Sequence, residues 1–459
     1  MSSAGRAPQP EDRRQVMAAI DLGSNSFHMI VARYEHGQLT VIDRLREMVR
    51  LAGGLGKDGR IKRDAAERAL QCLGRFGQRL ADIAPENIRA VGTNALRKAK
   101  NASDFLSEAE YALGHSIEVV SGREEARLVY LGAVHSIPDQ VGSRLVVDIG
   151  GGSTELIIGQ QLEIHERISL YMGCVSLTEK YFPNGKITAK RWKRARVAAS
   201  LELEPITETL RQQGWEGAIG TSGTIRTTQA VVRAQGWSDN AITPAALASL
   251  RDHMLAAGNS GSFGLEGLST ERAPVFVGGV VVLQAVCEAL EISTMRAAKG
   301  ALREGLIYDM IGRMSDEDAR DRSVRSLQKR YHVDGGQARR VEHTAMMMFS
   351  QVKADWQLED ALSRELLTWS ARVHEIGLGI AHAQYHKHGA YLLEHSDLAG
   401  FSNRERHLLA TMVLAHRRKM RSAVFKALPS PWSKRLIYLS ALLRLSVLFH
   451  RSRTNAALP

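Results

Sequence analysis

Cysteine is scarce in this chain: three in 459 residues, Cys72, Cys174 and Cys287, each isolated in apolar sequence. That speaks against a disulfide framework or a thiolate metal centre, and the three read as small buried side chains in a reducing cytoplasm. Long apolar runs are also lacking. None approaches the roughly 18–20 residues of a membrane span, so no transmembrane segment is expected and any membrane contact would be peripheral. Residues 1–15 are polar, with Pro8 and Pro10, and have no apolar core of the kind a signal peptide needs; they read as a disordered lead-in. What remains is ordinary soluble composition, 44% hydrophobic and 24% charged, at a length that suggests about three domains.

Charge is unevenly divided. From Asp321 to Pro459 there are 22 Lys and Arg against 11 Asp and Glu, whereas the remaining 320 residues carry 39 against 38. Almost the whole net charge of +12 therefore lies in the last third, with ten of the sixteen histidines. Such a segment expects a polyanion, whether nucleic acid, an acidic membrane surface or a long phosphate chain, unless its charge is simply solvated surface.

One pattern occurs twice. Ile20-Asp21-Leu22-Gly23-Ser24-Asn25-Ser26-Phe27-His28 returns as Val147-Asp148-Ile149-Gly150-Gly151-Gly152-Ser153-Thr154-Glu155, aligning Asp21 with Asp148, Gly23 with Gly150 and Ser26 with Ser153. Each copy reads as strand, tight glycine turn, strand. Two related domains are expected, at 16–134 and 135–311, each opening with strands and continuing into helices, so both are α/β with a mixed sheet. Amphipathic spacing predicts a helix over Asp64–Ile83, a second opens at Thr93-Asn94-Ala95, and a third covers Glu124–Val134. The second domain adds helices over Lys190–Arg211 and Arg303–Ile311, a buried helix over Ala273–Leu290, and a further glycine turn at Gly220-Thr221-Ser222-Gly223-Thr224. Polar residues 312–322 mark a boundary. Beyond it strand signals vanish, and residues 322–459 read as all-α.

The chemistry follows from the two loops. Glycine removes side chains so that backbone N–H groups can turn toward an anion, and Ser and Thr hydroxyls add donors. Gly23, Ser24, Asn25 and Ser26, together with Gly150, Gly151, Gly152, Ser153 and Thr154, are therefore candidate phosphate binders. Thr93, Asn94 and the Gly220, Thr221, Ser222, Gly223 turn join them. Asp21 and Asp148 beside a phosphate would repel it without an intervening cation, and Mg²⁺ suits both oxygen ligands and phosphates. Glu155, at the position matching His28, could serve as a further ligand or a catalytic group. Glu124 and Glu125 open a helix, and one of them could orient a water; acids are also simply favoured there by the helix dipole. Arg97, Lys98 and Arg123 are candidate phosphate clamps.

These residues resemble the exopolyphosphatase/guanosine pentaphosphate phosphohydrolase family, within the sugar kinase, heat-shock protein and actin-like superfamily. The resemblance is carried by residues 21–27, Gly92-Thr93-Asn94-Ala95-Leu96-Arg97, Ser121-Gly122-Arg123-Glu124-Glu125-Ala126-Arg127-Leu128, residues 148–156, Gly173-Cys174-Val175-Ser176-Leu177-Thr178, residues 220–224 and Arg303-Glu304-Gly305. It implies two ribonuclease H-like domains with the active site between them, and Mg²⁺-dependent removal of a terminal phosphate. It also implies that Glu125 positions the attacking water, that Asp148 and Glu155 are the second-loop acids, that Arg97 binds phosphate and that Asp21 is the first-loop acid. The helical third resembles an accessory HD-like domain, through Val341-Glu342-His343-Thr344, Val373-His374-Glu375-Ile376-Gly377 and Tyr385-His386-Lys387-His388-Gly389-Ala390-Tyr391. A metal-binding HD site needs a His-Asp pair; here it is His374-Glu375, which favours a structural module.

The basic last third ranks inorganic polyphosphate first as substrate, with processive trimming. Guanosine pentaphosphate (pppGpp) is the alternative in the same cleft. A kinase or ATPase of the superfamily, and a non-enzymatic binder with a dead cleft, rank below. A homodimer is expected and nucleic acid is not; the apolar segment Leu436–Phe449 could serve a dimer contact, although core packing explains it equally well.

Overall fold

The computed structural model describes residues 15–35, 38–56, 58–137, 142–314 and 318–454. Most of the lead-in expected over residues 1–15, and the turn that His36-Gly37 would make in the sequence, lie outside these. The chain divides into two compact units between Ile311 and Gly312.

The first unit holds two five-stranded sheets. One is built from β1 (Gln15–Leu22), β2 (Phe27–Glu35), β3 (Gln38–Glu47), β4 (Ile88–Gly92) and β5 (Ile117–Val119), the other from β6 (Ser143–Ile149), β7 (Thr154–Gln160), β8 (Glu163–Leu170), β9 (Gly217–Thr221) and β10 (Met295–Ala297). Their spatial orders, β3-β2-β1-β4-β5 and β8-β7-β6-β9-β10, are the same pattern repeated. In each, the first three strands form an antiparallel meander and the last two add in parallel. The repeated sequence motif is thus a repeated hairpin: Asp21 lies opposite His28, and Asp148 opposite Glu155.

Among the described residues ten α-helices accompany these sheets: α1 (Arg63–Leu80), α2 (Asn94–Lys98), α3 (Ala102–Leu113), α4 (Gly122–His135), α5 (Cys174–Tyr181), α6 (Ala189–Gln213), α7 (Ser222–Ala234), α8 (Pro244–Ala257), α9 (Ala273–Ala289) and α10 (Leu302–Met314), whose last residues pass the boundary. The expected helices are present, and α9 is buried around most of its circumference. Sequence periodicity missed α3, α5, α7 and α8. The expected glycine turn at Gly220–Thr224 is instead a direct strand-to-helix junction. β9 ends at Thr221 and α7 begins at Ser222, which takes the left-handed conformation (φ 65°) that turns the chain without a loop.

Packing explains why the acids meet. Successive strand residues point to opposite faces. On β1, Ala18, Ile20 and Leu22 join the outer core of the first sheet, while Met17 and Ala19 join a core that also receives residues of β6, β7, α4 and α10. On β6, Leu145, Val147 and Ile149 face the second sheet's outer core and Val146 the shared one. Asp21 has the parity of Met17 and Ala19, and Asp148 that of Val146. His28 shares the parity of Ile30, and Glu155 that of Ile157, both in the shared core. Alternation alone therefore sends four polar side chains toward the space between the sheets. Helices α4 and α10 cross in that space at glycines: a Cβ on Gly305 would lie 1.8 Å from the Leu128 carbonyl oxygen, and one on Gly132 2.0 Å from that of Ala301.

The second unit is all helical: α11 (Ala319–Arg330), α12 (Gly335–Val352), α13 (Ala361–Val373), α14 (Tyr385–His395), α15 (Asn403–Ala415), α16 (Ser422–Lys426) and α17 (Trp432–Phe449). Asp318, Asp334, Asp360 and Ser402 cap α11, α12, α13 and α15 by accepting backbone N–H bonds, which sets where each helix starts. Its core is centred on Trp369, packed edge-on against Phe401. Helix α17 turns Leu436, Leu439, Leu442 and Leu443 into that core and leaves Leu445, Leu448 and Phe449 exposed. The three cysteines of the chain are free and buried, and among the described residues no helix is long and apolar enough to cross a membrane.

Candidate active site

The two glycine loops touch. A Cβ on Gly151 would sit 2.9 Å from that of Ser24, and one on Gly152 2.8 Å from Asn94 Oδ1, so only glycine lets the loops approach this closely. Together they wall one cavity. Asp21, Asp148 and Glu125 line it, as do Gly23, Ser24, Asn25, Ser26, Thr93, Gly150, Gly151, Ser153, Ser222 and Gly223.

Other expected residues stand elsewhere. Thr154 is fully buried and donates its hydroxyl to the Met172 carbonyl at 2.7 Å. Gly152, Asn94, Gly220 and Thr221 are not part of the cavity wall, whereas Ser222, in the wall, partly opposes the effect of burial on Asp148. Glu155 is fully buried and takes a hydrogen bond from Ser169 Oγ at 2.9 Å. Lys98 stacks over the Tyr171 ring, and neither it nor Arg123 reaches the cavity wall. Arg97 does not reach it either: its guanidinium binds Glu125 Oε2 at 2.8 Å and the Val120 carbonyl at 2.9 Å. Packing also separates the glutamate pair. Glu124 is held in a two-pronged bond to Arg127 (2.9 and 2.8 Å), which also binds Asp309, so Glu125 alone faces the cavity.

Three cavity cations escaped the sequence reading as site residues: Arg226, Arg272 and Arg303. Arg226 lies one helical turn after Ser222, a spacing that shares a face and could have flagged it. Arg303 sits in a recognised fragment; Arg272 had no local signal. His28 also lines the cavity. Arg303 Nη1 approaches His28 Nδ1 at 3.2 Å, and His28 Nε2 lies 2.7 Å from Ser26 Oγ. Arginine can only donate, so Nδ1 accepts and Nε2 carries the proton. The Ser26 oxygen then accepts from histidine, and its own O–H is free to donate into the cavity.

The electrostatics are those of a site awaiting positive charge. Burial pushes Asp21 up to about 7, with Arg303 opposing and Glu125 and Asp148 reinforcing the shift. Burial and nearby carboxylates also raise Asp148 and, further, Glu155. Asp21 Oδ1, Asp148 Oδ1 and Glu155 Oε2 are buried without hydrogen-bond partners. Burial and neighbouring cations lower Arg226 and Arg272, and burial chiefly keeps His28 neutral. Carboxylates and arginines thus face one another across a gap that a metal-bound polyphosphate would neutralise.

In the helical unit, His374 is fully buried, with Nδ1 2.7 Å from the Ala371 carbonyl, and Glu375 binds Arg453.

The family model described as the Ppx/GppA phosphatase family matches residues 30–314, and that for Ppx/GppA phosphatase, domain III, matches residues 319–459. Guanosine-5'-triphosphate,3'-diphosphate pyrophosphatases of Aeromonas hydrophila subsp. hydrophila and Aeromonas salmonicida are 41% and 40% identical over 442 residues, covering 96% of this chain and 89% of each relative. Among solved structures, the PPX-GPPA enzyme of Aquifex aeolicus is 28% identical with a TM-score of 0.55, covering 64% of this chain and 100% of its own.

Proposed function

Because the chain belongs to the Ppx/GppA phosphatase family and is a phosphoanhydride hydrolase, we propose that its cleft removes the 5′-terminal phosphate of guanosine pentaphosphate with the help of a divalent cation. The observation that carries the chemistry is one cavity lined by Asp21, Glu125 and Asp148 and faced by Arg226, Arg272 and Arg303. The substrate class is supported by the two Aeromonas relatives, which put guanosine pentaphosphate ahead of the polyphosphate that charge distribution ranked first.

The donor set fits Mg²⁺. Asp21 and Asp148 each present a buried, unpartnered carboxylate oxygen, and Mg²⁺ characteristically takes one or two carboxylates and completes its shell with substrate phosphates and water. Among the described residues no three His, Cys, Asp or Glu side chains form a metal cage, so Glu155 does not join Asp21 and Asp148 as a third ligand of one. Bound there, the cation would neutralise charge on the phosphate oxygens.

The chain's own residues supply the rest. Loop amides at 23–26 and 151–153, with the Ser26 hydroxyl, cradle the terminal phosphate; the Gly150 N–H instead donates to the Ser153 carbonyl at 2.9 Å. Arg226, Arg272 and Arg303 meet charge that spreads over its oxygens during transfer. Glu125, held by Arg97, aims a water in line with the scissile bond and accepts its proton. Glu155 stands behind Glu125 and Asp148 as a positioning group.

Polyphosphate hydrolysis is a second reading, favoured by the net +11 of residues 321–459. Phosphate release measured side by side on guanosine pentaphosphate, long polyphosphate and short polyphosphate decides between them. Fastest turnover of the nucleotide is expected; faster turnover of long polyphosphate, with a steeper loss in salt than the short chain shows, reverses the order.

A further inference from the structure

We propose that the helical unit carries a second ligand site, for a small organic phosphate, in the cavity formed by α14, α15, α16 and the segment joining the last two. This goes beyond hydrolysis in the cleft and does not depend on it.

The cavity has a volume of about 530 Å³, inside the range of roughly 300–1,000 Å³ that holds small molecules. Its floor is apolar: Leu414, Ala415, Val424 and Phe425. Its rim is cationic: Lys387, Arg418, Lys419 and Arg421. No carboxylate lines it. None of the four cations forms an ion pair or side-chain hydrogen bond among the described residues. From His407 to Pro459 the sequence has ten Lys and Arg and no Asp or Glu. Unpaired cations over an apolar floor suit an anion that has an apolar body, with its phosphoryl group gripped at the rim.

A second observation points to a ligand. His386 forms part of the wall, is 6% exposed, and its Nδ1 is buried without a partner. Burial, Arg417, Lys387 and Arg418 all hold its imidazole below the usual range. A phosphoryl group held at the rim would offset those cations and let the imidazole take up a proton more readily.

The apolar body could be a nucleobase or an alkyl chain, and two probes separate these. The full-length protein would be titrated with GDP and with decyl phosphate, following heat and the His386 ring resonance, assigned with His386→Gln. Saturable binding of at least one probe is expected, with the His386 pKa rising on binding. Arg418→Ala/Arg421→Ala should weaken that binding about tenfold or more, and Leu414→Trp, which fills the floor, should abolish it. Both variants should keep guanosine pentaphosphate hydrolysis and the wild-type melting profile. GDP alone binding identifies a nucleotide site, decyl phosphate alone an acyl-phosphate or lipid-like one. Binding that leaves His386 unmoved and ignores both variants, or no binding of either probe, overturns the proposal.

Discussion

Arg97 and Glu125 form an ion pair at 2.8 Å, with the arginine anchored in turn to the Val120 carbonyl at 2.9 Å. An arginine expected to clamp phosphate is thus engaged in fixing the carboxylate that would handle the water. Two variants separate these roles. Glu125→Gln should cut turnover by about 10²–10⁴-fold while substrate still binds. Arg97→Ala should lower kcat by about tenfold or more with KM little changed. A rise in KM alone would return Arg97 to phosphate binding. Steady-state kinetics and binding to the Glu125→Gln protein supply both readouts.

Cation binding should depend on pH. Asp21 titrates near 7 when no cation is present, so a metal must displace a proton below that pH. Apparent Mg²⁺ affinity should be about tenfold weaker at pH 6 than at pH 8, with proton release visible by calorimetry in buffers of different ionisation enthalpy. Asp148→Asn should raise the Mg²⁺ concentration for half-activation. An unchanged titration in that variant would exclude Asp148 from the metal site.

The same burial carries a stability cost. Asp21 rises from 3.8 to about 7 on folding, so the folded state holds the proton more tightly than the unfolded one. Its destabilising charge is absent below about pH 3.8, grows between 3.8 and 7, and is complete above 7. In chelator, Asp21→Asn should therefore melt higher than wild type at pH 8, by roughly 2–4 °C, with the gap closing as pH falls. Saturating Mg²⁺ should shrink or reverse it.

His28 acts through Ser26. Replacing His28 by Ala removes the donor that leaves the Ser26 hydroxyl free to face the cavity, so KM should rise by about threefold to tenfold, the worth of one hydrogen bond. His28→Gln can accept from Arg303 and donate to Ser26, and should recover part of the loss.

The crossing of α4 and α10 has no room for a methyl group. Gly305→Ala should cost about 1–3 kcal/mol in a denaturant titration and should also reduce kcat, because α4 carries Glu125. Full activity in a destabilised variant would uncouple the helix contact from the site.

Much of this was legible in sequence because it is local. A hairpin's alternation fixes which side chains share a face, and the repeat announces two such hairpins. The two hairpins that hold Asp21, Ser26 and Asp148 were therefore legible, as was the order of the strands, whereas several helices were not. The omissions are instructive. Helices α3, α5, α7 and α8 were not legible in the local pattern, and at Gly220–Thr224 a left-handed Ser222 does the work expected of glycine.

What the sequence by itself determined is the duplicated acid-and-glycine hairpin, the change from α/β to helical character, and the crowding of positive charge in the last third, since each is set by neighbours a few residues apart or by composition. Only the tertiary structure decided that Glu125 rather than Glu124 faces the cavity, that Arg97 serves Glu125, and that Arg226, Arg272 and Arg303 complete the wall. Those outcomes turn on ion pairs between segments tens to hundreds of residues apart, such as Arg127 with Asp309, and no local pattern encodes which partner a buried charge will reach.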